Sequence, residues 1–143
     1  MQTLTCIENC ELDRFILKKV LSGYGLPFEV KCADTGSEVI RMLSKNKADS
    51  GQLPDIILLD IYMRGFDAWD FLDRVNWLYP ELAKPIEVYI LSASKHLVDV
   101  ERAQEYSFVK AFMLKPITKE LLQKLIRQKK ELYNPFALLE AYS

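Results

Sequence analysis

Short apolar runs alternate with amphipathic stretches along the whole chain, and each kind has its own period. Residues 3–7 read as a strand. Over residues 11–21 the apolar positions Leu12, Phe15, Ile16 and Val20 recur at helical spacing, and Ser22-Gly23 supplies a stop. Residues 28–33 read as a second strand. Thr35-Gly-Ser-Glu38 has the form of a capping box and opens a helix with Val39, Ile40 and Leu43 on one face. A polar connection, 46–54, leads to a third strand at 56–60. Asp67 is placed to cap a third helix whose inward face holds Phe71, Leu72, Val75 and Leu78. Tyr79-Pro80 ends that helix, because a residue before proline disfavours the helical region. A fourth strand at 86–91 precedes a helix that begins at Ser94 or Lys95 and runs to about Tyr106. After a fifth strand at 109–114, Thr118 caps a fifth helix carrying Leu121, Leu122, Leu125, Ile126 and Leu132.

Strands and helices in strict alternation imply parallel pairing through crossover connections. The expected fold class is therefore α/β, a doubly wound five-stranded parallel sheet. One domain spans residues 1–133, and Asn134-Pro135 sets off a C-terminal tail at 134–143. Phe136, Leu139 and Tyr142 fall near helical spacing, so the tail is expected to form a short turn docked on this domain or on a second copy, a possible homodimer.

Composition narrows the classes of partner. A net charge of −1 leaves no basic surplus for nucleic acid, and no apolar run nears the ~20 residues of a membrane span. Neither nucleic acid nor membrane is expected as a partner, and the expected location is the cytoplasm. Cys6, Cys10 and Cys32 are odd in number and lack C-x-x-C spacing, so they read as small buried thiols. The single His96 excludes a multi-histidine metal site and reads as an exposed helix-start residue. Trp69 and Trp77 read as helix packing and surface, and Arg127-Gln-Lys-Lys130 as a solvated helix face.

Three of the strands end in polar residues of different kinds: Asp60, Ser92 and Lys115. Parallel neighbours would bring a carboxylate, a hydroxyl and an ammonium to one sheet edge, the edge where open α/β sheets bind ligands. The turn after the first strand is Glu8-Asn9-Cys10-Glu11, without the glycines of a dinucleotide fold. Its acidic groups repel a flavin phosphate and favour a cation. Next to Asp60, Glu8 and Asn9 offer hard oxygen ligands suited to Mg²⁺.

Residues 53–63, Leu-Pro-Asp-Ile-Ile-Leu-Leu-Asp-Ile-Tyr-Met, with 65–72, Ile90-Leu-Ser92-Ala and Phe112-Met-Leu-Lys115-Pro116, resemble in order the motifs of the receiver domain of two-component response regulators. The resemblance runs over roughly residues 3–132. It implies a flavodoxin-like (βα)5 fold with strand order 2-1-3-4-5. It further implies that Asp60 accepts a phosphoryl group from a histidine kinase or phosphotransfer protein, with Ser92 and Lys115 binding phosphoryl oxygens. Mg²⁺ would be held by Glu8, Asn9, Asp60 and the backbone carbonyl of Tyr62. Ser92 and Phe112 would act as the switch that rebuilds the surface of the fourth helix, fifth strand and fifth helix for an unknown downstream protein. The Lys115-Pro116 bond corresponds to one that is commonly cis. With no output domain, the chain reads as a stand-alone signalling receiver rather than an enzyme.

Three departures qualify the match. Asn9 stands where the family usually has a second aspartate, Arg64 where proline is usual, and Ala68 where glycine is usual. Loss of one carboxylate motivates an alternative, a degenerate receiver that binds its partner without phosphorylation. A phosphohydrolase using Asp60 as nucleophile is disfavoured, because Tyr62 occupies the place of the second aspartate that haloacid-dehalogenase-type enzymes need.

Overall fold

The computed structural model describes residues 2–22, 28–63, 65–93 and 96–120. Within them the chain runs β1 (Gln2–Ile7), α1 (Glu11–Ser22), β2 (Phe28–Ala33), α2 (Gly36–Lys45), β3 (Ile56–Asp60), α3 (Ala68–Leu78), β4 (Glu87–Ser92), α4 (Leu97–Ala103) and β5 (Val109–Leu114). All four strand pairings are parallel, in the order β2-β1-β3-β4-β5. Lys119 and Glu120 open a further helical turn. The expected fifth helix beyond Glu120 and the tail at 134–143 lie outside the described residues.

Period-two alternation assigns each strand's side chains to one of two cores. Ile57, Leu59, Val88, Ile90 and Phe112 face the layer of α2, α3 and α4. Ile56, Leu58, Tyr89, Leu91 and Met113 face the layer of α1. Because β3 lies between covered faces on both sides, all five of its residues are buried, Asp60 included. A carboxylate reaches that depth only when something compensates its charge.

Local signals set the helix ends. Thr35 Oγ1 accepts the Glu38 N–H at 3.2 Å, and Asp67 Oδ1 accepts the N–H groups of Trp69 and Asp70 at 3.0 Å each. The third helix stops at Leu78 as expected, but Tyr79 keeps helical angles and leads a 3-10 turn, Tyr79–Glu81. Tertiary contacts outweigh the preproline preference there. The Tyr79 ring stacks on Phe108 with centroids 5.1 Å apart, and its hydroxyl accepts the Ile86 N–H at 3.3 Å.

Two expectations are corrected. On α1, Leu17 and Leu21 are buried, while Leu12 (66% exposed), Phe15 (58%) and Ile16 point outward. The helix carries two overlapping apolar stripes, and the sheet covers the later one. The cysteines are not three thiols: parallel register sets Cys6 opposite Cys32, the pair is joined as a disulfide, and Cys10 is free and exposed. A separation of 26 residues hides that adjacency in the sequence.

Two glycines, Gly65 in the loop after β3 and Gly36 at the start of α2, stand where a Cβ would be disfavoured. Gly65 has φ +71°, a region that strains any residue with a Cβ. At Gly36 an added Cβ would collide with the Phe66 ring, which itself packs on Phe71. Gly36→Ala is expected to cost about 1–3 kcal/mol through that overpacking. Thermal or denaturant unfolding reads it out, and an unchanged melting temperature contradicts the packing described.

Candidate functional site

Strand register brings the polar strand ends together. Asp60 pairs with Leu91, the residue before Ser92, and Ser92 pairs with Leu114, the residue before Lys115. The Lys115 N–H donates to the Ser92 carbonyl at 2.8 Å, which extends the β4–β5 ladder into the site. Lys115-Pro116 is a cis peptide bond.

On the other side of β3, the turn after β1 presents Glu8. Its N–H donates to the Ala33 carbonyl at 3.2 Å, and its own carbonyl accepts from Arg14 Nε at 3.2 Å. Arg14 also pairs with Asp34, so one guanidinium ties the start of α1, the acidic turn and the end of β2. Asn9, next along the turn, is exposed.

The Lys115 ammonium sits among three carboxylates. Nζ lies 3.0 Å from Glu8 Oε1 and 3.4 Å from Asp13 Oδ2, and it pairs more closely still with Asp60 Oδ2. Glu8 and Asp60 are both buried, at 4% and 5% exposure. Burial alone pushes the ammonium's pKa down, but the hydrogen bonds and charges of Asp60 and Glu8 outweigh it and hold Lys115 above the ordinary lysine range. The second oxygen of Asp60, Oδ1, accepts the Tyr62 N–H at 2.9 Å. Both faces of the Asp60 carboxylate are thereby fixed.

Ser92 is fully buried at the end of β4. Phe112, the expected mobile aromatic, is also fully buried and belongs to the core shared with Ile90. Its ring is already turned inward in this state. A small cavity of about 100 Å³, bounded by Ile16, Leu17, Leu91, Pro116 and Ile117, opens beside Lys115.

Asp13, Arg14 and Asp99 did not stand out in the sequence. Each sits in the first turns of a helix, where Asp13 and Asp99 are ordinary dipole partners, and nothing marks Arg14 as reaching Asp34 or Asp99 as accepting the Tyr62 hydroxyl. The available signal was position: Asp13 and Arg14 follow the acidic turn within one helical turn.

A hard dication suits this donor set in part. Glu8 and Asp60 supply two buried anionic oxygens, and Asp13 and Lys115 leave a net charge of about −2 on the cluster by formal count. Among the described residues, however, no three His, Cys, Asp or Glu side chains gather as a metal cluster.

The profile of the response regulator receiver domain matches residues 4–127. The chain belongs to that family, and it is a receiver of two-component signalling. Its structure is similar to a two-component response regulator from Cytophaga hutchinsonii (TM-score 0.79, 22% identity, covering 92% of this chain and 98% of that one). A two-component response regulator from Legionella pneumophila gives a TM-score of 0.76 at 20% identity, covering 92% of this chain and 100% of that one. The Mn(2+)-bound form of response regulator Rcp1 gives 0.68 at 21% identity, covering 91% and 93%. At these identities the likeness shows the fold. No curated protein matches the sequence significantly. Among the described residues no helix is long and apolar enough to cross a membrane.

Replacing Lys115 with Gln would leave Glu8 and Asp60 buried without their cation. Breaking a buried pair costs about 3–5 kcal/mol, and partial solvent access to the lysine reduces this to about 1–3 kcal/mol. Since the folded pKa of Lys115 is raised above 10.5, its contribution is whole below that pH and is lost as pH rises through the raised value. The stability difference between wild type and Lys115→Gln should hold constant from neutral pH to about 10 and shrink above it. A difference that vanishes already at neutral pH contradicts the ion cluster.

Proposed function

We propose that this receiver accepts a phosphoryl group on Asp60 from a phosphohistidine of a histidine kinase or phosphotransfer protein. The observation that carries the reading is the Lys115 ammonium bridging the buried carboxylates of Glu8 and Asp60 at the C-terminal sheet edge. An Asp60 oxygen attacks phosphorus, a P–O bond forms to the carboxylate, the donor's P–N bond breaks, and the imidazole leaves with a proton. Lys115 holds Asp60 in line and then pairs with a phosphoryl oxygen as a point charge. The Ser92 hydroxyl donates to another. Glu8, Asp60, the Asn9 side-chain oxygen and the Tyr62 carbonyl would hold Mg²⁺, which when bound neutralises charge on the transferring oxygens.

Exposed apolar side chains on the elements that flank the site support docking of a protein donor. They are Leu12, Phe15 and Ile16 on α1, Tyr62 in the loop after β3, and Leu97 and Val98 on α4. Phosphorylation would alter the surface of α4 and β5 for a downstream protein, with Ser92 and Phe112 contributing through the buried end of β4 and its neighbour.

A second reading is a phosphorylation-independent interaction module. It is favoured by Asn9 and by an ammonium that already pairs with both buried acids. The two separate on incubation with acetyl phosphate and millimolar Mg²⁺. Wild type should gain the mass of one phosphoryl group and Asp60→Asn should not. No gain on wild type overturns phosphorylation and leaves the interaction module.

Asn9→Asp restores a carboxylate to the turn. Two unit charges ~4 Å apart interact by ~4 kcal/mol at an effective dielectric of ~20, before desolvation is subtracted. A net gain of about tenfold in Mg²⁺ affinity, about 1.4 kcal/mol, is expected in a tryptophan and tyrosine fluorescence titration. Equal affinity would remove Asn9 from the ligand set.

A further inference from the structure

The Cys6–Cys32 disulfide encloses the acidic half of the site. Its two ends are 26 residues apart, and the loop they close carries Glu8, Asp13 and Arg14. Glu8 and Asp13 are two of the carboxylates that face Lys115. Cys6 stands near the end of β1, just before Glu8, and Cys32 near the end of β2, just before Asp34. Parallel register and a Cα–Cα distance of 4.8 Å place the pair within the span a disulfide bridges, on the face covered by α1.

The strand on the far side of that bond is the least buried of the sheet. β2 stands at the end of the strand order, and none of its residues is buried, whereas all of β3 is. Three contacts fasten its C-terminal end to the acidic turn. The Glu8 N–H donates to the Ala33 carbonyl at 3.2 Å, Arg14 bridges the Glu8 carbonyl to Asp34, and the disulfide joins the strands covalently. The Asp34 carboxylate is 65% exposed, and an ion pair so open to water holds little. The covalent bond is therefore the strongest of the three restraints on the turn that presents Glu8. Cys32 is half-buried on this edge strand, while Cys6 is buried, so attack on the bond comes at the Cys32 sulfur.

We propose that Cys6–Cys32 is a reversible thiol–disulfide site for dithiol reductants, and that its redox state sets how firmly Glu8 is held beside Lys115 and Asp60. A thiolate of the reductant attacks the Cys32 sulfur, the S–S bond breaks, and Cys6 leaves and takes a proton. The reductant's second thiol then closes on its own first sulfur, and Cys32 leaves as a thiol. Two electrons and two protons pass to the protein, the reductant ends as a disulfide, and a disulfide oxidant reverses the exchange. Opening the bond removes the covalent closure of the loop that carries Glu8 and Asp13, so the turn and the end of β2 open locally more often. The sheet persists, because Leu58, Tyr89, Leu91 and Met113 keep the core under α1 on strands the bond does not touch. The redox site follows from the loop geometry alone; its consequence for phosphoryl transfer rests on the phosphoacceptor reading above.

Wild type is compared air-oxidised and after dithiothreitol, with thiols counted by intact mass after alkylation in denaturant and amide exchange followed over 6–14 and 28–34. Alkylation should count one thiol, Cys10, in the oxidised protein and three after dithiothreitol. Exchange over both segments should rise about tenfold on reduction while β4 and β5 stay protected, and oxidised glutathione should restore the starting state. Cys32→Ser should exchange like reduced wild type and ignore dithiothreitol, whereas Cys10→Ser should respond as wild type does. A bond that resists dithiothreitol in the folded protein overturns the proposal, as does reduction that leaves exchange at Glu8 unchanged or unfolds the whole chain. Acetyl phosphate with Mg²⁺ should add a phosphoryl mass more slowly to the reduced form than to the oxidised one, and equal rates overturn the coupling to Glu8. No mass gain in either form overturns the phosphoacceptor reading alone, and the exchange still decides the redox site.

Discussion

One ammonium makes this site possible. Burying Glu8 and Asp60 side by side would cost several kcal/mol in desolvation and repulsion, and Lys115 offsets that by sitting between them, with Asp13 as a third carboxylate. Its position depends on the rest of the fold. β5 must lie next to β4 in register for Lys115 to follow Leu114 at the level of Ser92, and β1 must lie beside β3 for Glu8 to approach Asp60. The covered sheet exists to place four strand ends within reach of one another.

The same cluster sets the balance between holding and reacting. Lys115 holds Asp60 in place through its ammonium, yet it also satisfies the carboxylates that a dication would recruit. Where the family usually supplies two acids after its first strand, this chain has Glu8 and Asn9, which under the proposed function would tilt the competition toward the lysine. Asp13 eases it by giving the ammonium another anionic neighbour on α1.

Much of the fold was legible in the sequence because each element carries its own local signal. β2, β3 and β5 have the bounds their apolar runs mark, and Thr35 and Asp67 cap the helices their spacing announces. Asp60, Ser92 and Lys115 were legible for a related reason: a polar residue ending an apolar strand in a parallel sheet has one edge to emerge from. What stayed hidden depends on pairing across long separations or on a choice between overlapping faces. The Cys6–Cys32 bond follows from register, which no local pattern encodes. The exposure of Leu12 and Phe15 follows from which of two stripes on α1 meets the sheet. Asp13 and Asp99 look like ordinary first-turn acids until the neighbouring loop is in place.

The arrangement is tested most directly at the ammonium itself, by ¹⁵N NMR of the lysine Nζ groups at neutral pH. A Lys115 ammonium held by Glu8 and Asp60 exchanges its protons slowly enough to give a resolved correlation, and that correlation should disappear in Asp60→Asn. A Lys115 signal that exchanges as fast as those of the solvent-exposed Lys18 and Lys19, and is indifferent to Asp60, would contradict the account.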